Sequence, residues 1–110
     1  MSSNHNQAHG VLVAACLLKL RELGLPAWKQ NTGAAKIAGR FIRFSQAGTP
    51  DILAVGPGGR FVGIECKTGA GRPNKAQKAW HETARNAGAL VLVVRSEREL
   101  EVALKGVQSE

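Results

Sequence analysis

The chain has 110 residues, with 15 Lys or Arg against 8 Asp or Glu and a formal net charge of +7. This length suffices for one domain with a modest core, and the excess positive charge favours nucleic acid or an anionic surface as the partner. The two cysteines, Cys16 and Cys66, lie in apolar runs without zinc-site spacing, so we predict reduced core thiols in a cytosolic protein. The apolar run at residues 11–18 is too short to span a bilayer and lacks signal-peptide features.

The N-terminal part predicts a polar tail followed by one packing helix. Residues 1–8 are polar, and we expect them to be loose. Over residues 9–23 the apolar side chains recur at helical spacing, and Gly24 with Pro26 ends the pattern. We therefore expect a helix that packs one face on the core.

Residues 27–45 are basic and predict two short strands around a Gly-rich bend, one near Trp28 and one at residues 41–44. One interpretation is a solvated strand edge. The other is a strip of positive charges that contacts phosphates without reading sequence. For any single residue the two are equally favoured, but the net charge favours the strip as a set. The strip consists of Lys29, Lys36, Arg40 and Arg43.

Residues 48–67 predict a β-hairpin that gathers charged side chains at one end. Two apolar runs flank a Gly/Pro cluster at residues 56–59, which is typical of a hairpin turn. With the turn at this cluster, Asp51 before the first strand lies opposite the end of the second strand, which carries Glu65 and Lys67. Two carboxylates and one ammonium are thus expected within a few ångströms of each other.

Two carboxylates at this distance repel each other, so Asp51 and Glu65 predict a bound cation. An oxygen-ligated ion such as Mg²⁺ keeps positions open for phosphate and water, which suits phosphodiester hydrolysis. Lys67 would orient a water or stabilise the charge that develops on phosphorus. The alternative is a surface salt bridge at the end of an ordinary hairpin. We favour the metal site because the only Asp of the chain stands at this spacing from a Glu-X-Lys triplet.

A second helix is predicted over residues 75–87, with Asn74 as its N-cap. Residues three and four apart share a helix face. One face carries Gln77, Trp80, His81 and Ala84. We expect Trp80 to be a core aromatic residue and His81 to be a partly buried helix residue rather than a catalytic base.

The last part of the chain predicts a strand and a short helix. Residues 89–94 form a continuous Val-rich run, which is typical of a strand covered on both faces. Ser96 and Glu99 have the spacing of a capping box for the final helix, which we expect to fray after Gly106.

In order, these elements predict an α/β fold, α-β-β-β-β-α-β-α, in which helices flank a mixed β-sheet. We expect a flexible polar tail at residues 1–8, a single domain at residues 9–105 and a frayed C-terminus at residues 106–110.

A series of short motifs also runs through the chain. It consists of Gly48-Thr49-Pro50-Asp51, Gly63-Ile64-Glu65-Cys66-Lys67-Thr68, Gly71-Arg72, Gln77 with Trp80, Ala87-Gly88 and Val94-Arg95-Ser96. This series resembles a VRR-NUC domain, a branch of the PD-(D/E)XK nuclease superfamily, and in particular its minimal stand-alone members from phages and prophages. An Asp and a Glu-X-Lys triplet alone are weak evidence for this resemblance, but the full series of motifs in order is much stronger evidence. The resemblance extends from residue 9 to about residue 104 and implies a restriction-endonuclease-like sheet.

The resemblance implies a Mg²⁺- or Mn²⁺-dependent endonuclease that hydrolyses DNA. Asp51 and Glu65 would bind the metal together with the backbone carbonyl of Cys66. Lys67 would act on the attacking water or on the transition state, and Gln77 would position a ligand or a phosphate.

The chain departs from the family pattern in its first helix, where members usually carry a Glu that contributes to the metal site. His9 aligns with this position, and it could ligate Mn²⁺, contact phosphate or have no role. The full set of candidate DNA-binding residues is Lys29, Lys36, Arg40, Arg43, Arg72, Lys75 and Lys78.

Stand-alone members of the family resemble phage products that act as homodimers on branched DNA, such as Holliday junctions. The resemblance therefore implies a homodimer in the cytoplasm of a bacterial or phage-infected cell. Two alternatives stay open: a non-catalytic DNA-binding module of the same fold, and a nuclease or nickase that acts on unbranched DNA. The intact set of Asp51, Glu65 and Lys67 argues against the first, and nothing in the sequence separates the second from a junction nuclease.

Overall fold

A computed structural model describes residues 2–30 and 34–108. Its helices are α1 (Ser2–Glu22), α2 (Lys75–Asn86) and α3 (Glu97–Gln108). Its strands are β1 (Ala27–Lys29), β2 (Ala34–Ile37), β3 (Arg40–Arg43), β4 (Ile52–Val55), β5 (Phe61–Cys66) and β6 (Leu90–Val94). The predicted order of helices and strands is confirmed, with one addition. The short strand β2 pairs only with β3 and forms a separate two-stranded sheet.

The main sheet has the strand order β1-β4-β5-β6. The pairs β1–β4 and β4–β5 are antiparallel, whereas β5 and β6 are parallel, so the sheet is mixed as predicted. In the β4–β5 hairpin Ile52 lies opposite Ile64, and a short 3-10 turn at Pro57–Gly59 connects the strands. This register places Asp51 beside Glu65 at the open end of the hairpin, which confirms the prediction from turn position.

Strand β5 has one face in the core and the other towards α2. Val62, Ile64 and Cys66 are fully buried in a cluster formed with apolar side chains of α1 and α3. The alternating residues, including Gly63 and Glu65, lie on the opposite face, as expected for a strand. Both cysteines are free and buried in the core, as predicted for reduced thiols.

The loop before β4 approaches α2 and β5 so closely that two positions require glycine. A Cβ on Gly48 would overlap the carbonyl oxygen of Ala76 in the first turn of α2, and Gly48 has φ +85°. A Cβ on Gly63 would lie 2.9 Å from Cγ of Pro50 and 3.5 Å from the ring of Trp80. The segment that ends in Asp51 is therefore held between α2 and β5 by close packing.

The first and last helices extend further than predicted. Helix α1 begins at Ser2, so residues 2–8, predicted to be a loose tail, have helical backbone. Helix α3 continues to Gln108, beyond the predicted end near Gly106. The mobility of these ends stays a prediction. Among the described residues, no helix combines the length and apolarity that a membrane span requires.

Strand β6 is one of the two edge strands of the main sheet. Val91 and Val94 are buried, whereas the other three residues of the strand are only half-buried. The prediction of a strand covered on both faces is thus only partly right. An apolar run indicates burial of a strand, but it does not show whether the strand lies at the centre or the edge of the sheet.

Candidate active site

A cavity of about 350 Å³ opens where β5 ends and the loop to α2 begins. Its lining includes every residue that we predicted for catalysis or metal binding. The lining residues are His9, Asp51, Glu65, Cys66, Lys67, Thr68, Gly71, Arg72 and Gln77. The fold therefore brings together candidates from α1, from the β4–β5 hairpin and from α2.

Asp51 is held in place by the backbone of β5. Its Oδ2 accepts a hydrogen bond of 2.8 Å from the backbone N–H of Cys66. From α1, Nε2 of His9 lies 3.4 Å from this same Oδ2 and 3.1 Å from the carbonyl oxygen of Cys66. His9 thus reaches two of the atoms that the family resemblance assigns to the metal, which makes it a member of the site.

Glu65 is only 2% exposed, on the face of the sheet that α2 covers. Burial, followed by the charge of Asp51 and a hydrogen bond with it, raises the pKa of this carboxyl to about 8, although the charge of Lys67 opposes the shift. At neutral pH the metal-free protein therefore keeps Glu65 mainly protonated. A cation bound between the two acids would favour the ionised form.

His81 is a site residue that sequence reasoning missed. It is 3% exposed rather than partly buried, and its Nε2 lies 3.3 Å from Oε1 of Glu65. Burial lowers the pKa of the imidazole, and the charges of Arg85 and Lys67 lower it further, so His81 is neutral at pH 7. The contact with Glu65 is therefore a hydrogen bond and not an ion pair. The position of His81 four residues after Gln77 indicated the correct helix face, but it did not indicate how completely the side chain is buried.

Gln77 connects Lys67 to the start of α2. Its Oε1 accepts hydrogen bonds from Nζ of Lys67 at 3.0 Å and from the backbone N–H of Asn74 at 2.8 Å. The backbone N–H of Gln77 donates in return to Oδ1 of Asn74 at 2.9 Å, which completes a capping box. Asn74 is thus the N-cap, as predicted. Gln77 is therefore both a helix N-terminal residue and part of the cavity.

Trp80 packs over the strand that carries Glu65. Its ring lies against Phe61, with ring centroids 6.4 Å apart, and is half-buried above Gly63. Trp80 thus packs on the sheet, but it is only half-buried and lies outside the core cluster, so the prediction of a core aromatic residue is only partly right.

The candidate DNA-binding residues are divided between two regions. Arg72 lines the cavity, and Lys75 and Lys78 are exposed in the first turn of α2. Lys29 ends β1 opposite Ile52, next to the Asp51 position. These four positions lie on or near the cavity end of the main sheet.

The other three candidates lie on the separate β2–β3 hairpin. Lys36 is paired with Phe41, and Arg43 is paired with Ala34. Since directly paired residues share a face, Lys36 and Arg43 lie on one face, whereas Arg40 lies on the other. Alternation along β3 thus separates Arg40 from Lys36 and Arg43, and contact of these cations with DNA stays a prediction.

The oxygen donors of the cavity fit a hard divalent cation. The carboxylates of Asp51 and Glu65 and the carbonyl of Cys66 are the ligand types that Mg²⁺ prefers, and the imidazole of His9 suits Mn²⁺ as well. Nε2 of His9 lies near both Oδ2 of Asp51 and the carbonyl oxygen of Cys66, so His9 could join these atoms in holding the ion. No group of three or more His, Cys, Asp or Glu side chains in the described part of the chain has metal-binding spacing, so the fit depends on the backbone carbonyl.

A solved structure described as a VRR_NUC domain is similar to this chain. The two are 25% identical in sequence with a TM-score of 0.66, and the match covers 89% of this chain and 95% of that chain. No protein-family model matches the chain, and no curated protein is significantly similar to it. The predicted restriction-endonuclease-like sheet is thus confirmed, and the motif series agrees with the shared fold. The shared fold, together with the motif series, supports membership of the VRR-NUC family and a nuclease-type domain.

Proposed function

We propose that the protein is a divalent-metal-dependent endonuclease that hydrolyses phosphodiester bonds of DNA. The observation that carries this proposal is the convergence of Asp51, Glu65 and Lys67 in one cavity of a nuclease-type domain. Nucleases of this fold typically use divalent metal ions, and the oxygen donors of the cavity suit Mg²⁺ or Mn²⁺.

Asp51 and Glu65 would hold the ion together with the carbonyl oxygen of Cys66. When bound, the ion supplies Lewis-acid activation of water and of the phosphate. The hydrogen bond from the Cys66 N–H fixes Oδ2 of Asp51. The contact from His81 fixes Oε1 of Glu65 from the helix side. Such contacts behind the ligands orient the carboxylates before the ion binds.

Lys67 would supply the positive charge of the chemical step. Its Nζ is held by Oε1 of Gln77 at 3.0 Å, within the same cavity as both acids. An ammonium held at this position can orient the attacking water or stabilise charge on the phosphoryl oxygens. Gln77 would thus act by positioning Lys67.

The basic surface would supply affinity for the DNA backbone. Arg72 at the cavity, together with Lys75 and Lys78 on α2, can contact phosphates on either side of the cleaved bond. Because phosphate contacts release counterions, affinity should fall with salt by about 0.9 log units per log unit for each phosphate neutralised on duplex DNA.

The working unit that we propose is a homodimer that acts on branched DNA, such as Holliday junctions, in the cytoplasm of a bacterial or phage-infected cell. One domain of 110 residues has little surface with which to recognise a junction. A two-fold dimer would present two sites at a fixed separation, and only a branched substrate could engage both together.

The decisive experiment compares labelled duplex, single-stranded, flap and four-way DNA of equal length, each with Mg²⁺, Mn²⁺ or EDTA. We expect cleavage only with metal and fastest cleavage of the four-way substrate. Binding of DNA without cleavage in either metal would identify a non-catalytic module. Equal cleavage of duplex and junction, with a monomeric mass at micromolar concentration, would remove the junction role and leave the nuclease.

A further inference from the structure

The β2–β3 hairpin forms an arm, residues 34–44, that joins no other sheet. All of β3 is exposed, and β2 has one half-buried residue. The arm carries four large apolar side chains that are between 43% and 73% exposed: Ile37, Phe41, Ile42 and Phe44. Exposed apolar side chains concentrated in one segment mark a binding surface.

The two faces of the arm differ in chemistry. Phe41 is directly paired with Lys36, and Arg43 follows two residues later on the same face. The opposite face carries Arg40 with the aliphatic residues Ile37 and Ile42. Phe41 is 73% exposed, more than any other large apolar side chain among the described residues. One face therefore presents an accessible aromatic ring between two cations.

Charge indicates which kind of partner this face suits. No Asp or Glu occurs from Leu23 to Pro50, whereas this part of the chain holds four Lys or Arg. A polyanion is complementary to such a surface, and the arm of a second copy would bring like charges against it. Charge complementarity thus favours nucleic acid over self-association.

The exposed aromatic ring indicates which form of nucleic acid this face suits. Cations alone suffice to bind the phosphates of a duplex, whose bases are stacked on one another. An exposed ring flanked by cations suits a base without a stacking partner, since the ring can stack on the base while the cations contact neighbouring phosphates.

We infer that the face formed by Lys36, Phe41 and Arg43 binds unpaired nucleotides of DNA, with Phe41 stacked on a base. This inference rests on the proposed function and deepens it, because it names unpaired bases as the substrate feature that the arm recognises. Branch points, flaps and single-stranded segments all offer such bases.

The experiment measures fluorescence anisotropy of labelled single-stranded and duplex oligonucleotides of equal length, in Ca²⁺ buffer with the full chain. Phe41→Ala should weaken binding of the single strand about 5- to 100-fold, the range expected for loss of one stacked base, and change duplex affinity less than about twofold. Phe41→Trp should retain the affinity, and Phe41→Leu should not. The matched control is Ile42→Ala on the opposite face, which should leave the preference unchanged.

Equal losses of affinity for both oligonucleotides with Phe41→Ala, or no loss of affinity, would overturn the inference. In either case, duplex binding by the unchanged protein would still support the proposed function. Failure of the unchanged protein to bind any DNA would overturn both. If Phe41→Ala lowers the mass measured in solution and leaves the DNA preference intact, the arm is a protein interface, and the inference is likewise overturned.

Discussion

Two clusters of charged side chains in this protein contain Lys and carboxylates, but they differ in whether the carboxylates form ion pairs with the lysines. In the surface cluster, which joins α1 to α3, each acid has a cation within 3.5 Å. It consists of Lys19 with Glu22, Glu97 and Glu101, and of Lys105 with Glu101. In the cavity, no ion pair within the described residues joins Lys67 to Asp51 or Glu65, and Lys67 is instead hydrogen-bonded to Gln77.

The pKa shifts of the two clusters run in opposite directions. The hydrogen bond and the charge of Lys105, with the charge of Lys19, lower the pKa of Glu101. Burial and Asp51 raise the pKa of Glu65 to about 8. Each acid of the surface cluster is thus paired with a lysine, whereas neither acid of the cavity forms an ion pair with Lys67. This difference indicates that the cavity is arranged for a ligand and the surface cluster for packing of the helices.

The largest expected difference concerns cleavage after removal of one carboxylate. Asp51→Asn or Glu65→Gln should abolish metal-dependent cleavage, because each replaces a carboxylate of the proposed metal site by a neutral amide. The control Glu101→Gln removes a carboxylate from the surface cluster and should cleave at the unchanged rate. The cleavage rates are measured under single-turnover conditions at matched concentrations of protein and metal, and circular dichroism verifies that each variant is folded. Unchanged cleavage by either cavity variant would disprove the metal site.

Replacement of Lys67 in the cavity should lower the cleavage rate by orders of magnitude more than replacement of Lys19 in the surface cluster. Lys67→Ala should lower the cleavage rate about 10²- to 10³-fold, since in the proposed mechanism its charge stabilises the transition state. Lys19→Ala should leave the rate unchanged. DNA affinity in Ca²⁺ should weaken far less than the rate for Lys67→Ala. A loss of affinity equal to the loss of rate would make Lys67 an ordinary phosphate contact.

Gly48 and Gly24 allow a closely packed position behind the cavity to be compared with an open position near the surface cluster. Gly48→Ala should destabilise the fold by about 2–4 kcal/mol, because positive φ and overlap with Ala76 act together. Gly24 also has positive φ, but a Cβ there would meet no atom within 4 Å, so Gly24→Ala should cost only about 1–2 kcal/mol. Urea unfolding measures both. Equal losses would show that the loop does not depend on close packing against α2.

The two clusters should also differ in the sign of the pH dependence that they give to the stability of the protein. Because folding raises the pKa of Glu65 from 4.5 to about 8, its contribution to metal-free stability is complete below pH 4.5 and is lost as pH rises through 8. The loss is on the order of a few kcal/mol, at about 1.4 kcal/mol per pKa unit. Glu101, with its lowered pKa, contributes above its ordinary pKa and loses this contribution as pH falls.

Urea unfolding in EDTA between pH 5 and pH 8 tests this difference. Glu65→Gln should flatten the decline in stability with pH, and Glu101→Gln should not. Mg²⁺ should stabilise the protein more at pH 8 than at pH 5, because the ion binds the ionised form of Glu65. A metal-free stability that is independent of pH in the unchanged protein would contradict the buried, protonated state of Glu65.

Local sequence patterns determined the parts of this protein whose geometry depends on a few neighbouring residues. The Gly/Pro cluster at residues 56–59 set the hairpin register, and the register placed Asp51 opposite Glu65. Asn74 capped α2, because an N-cap needs only its own side chain and the next turn of helix. The pair of acids and the face of β5 could therefore be predicted without any distant contact.

Only the tertiary structure decided the features that depend on packing between distant segments. His9 reaches the carbonyl of Cys66 because α1 lies across the sheet, and helical spacing alone does not predict this crossing. His81 is buried against Glu65 because α2 sits close to β5, at a depth that periodicity along the helix cannot indicate. Arg40 is separated from Lys36 by the pairing of β2 with β3. In each case the position is set by which segments meet, and the sequence pattern of one segment carries no information about its partner.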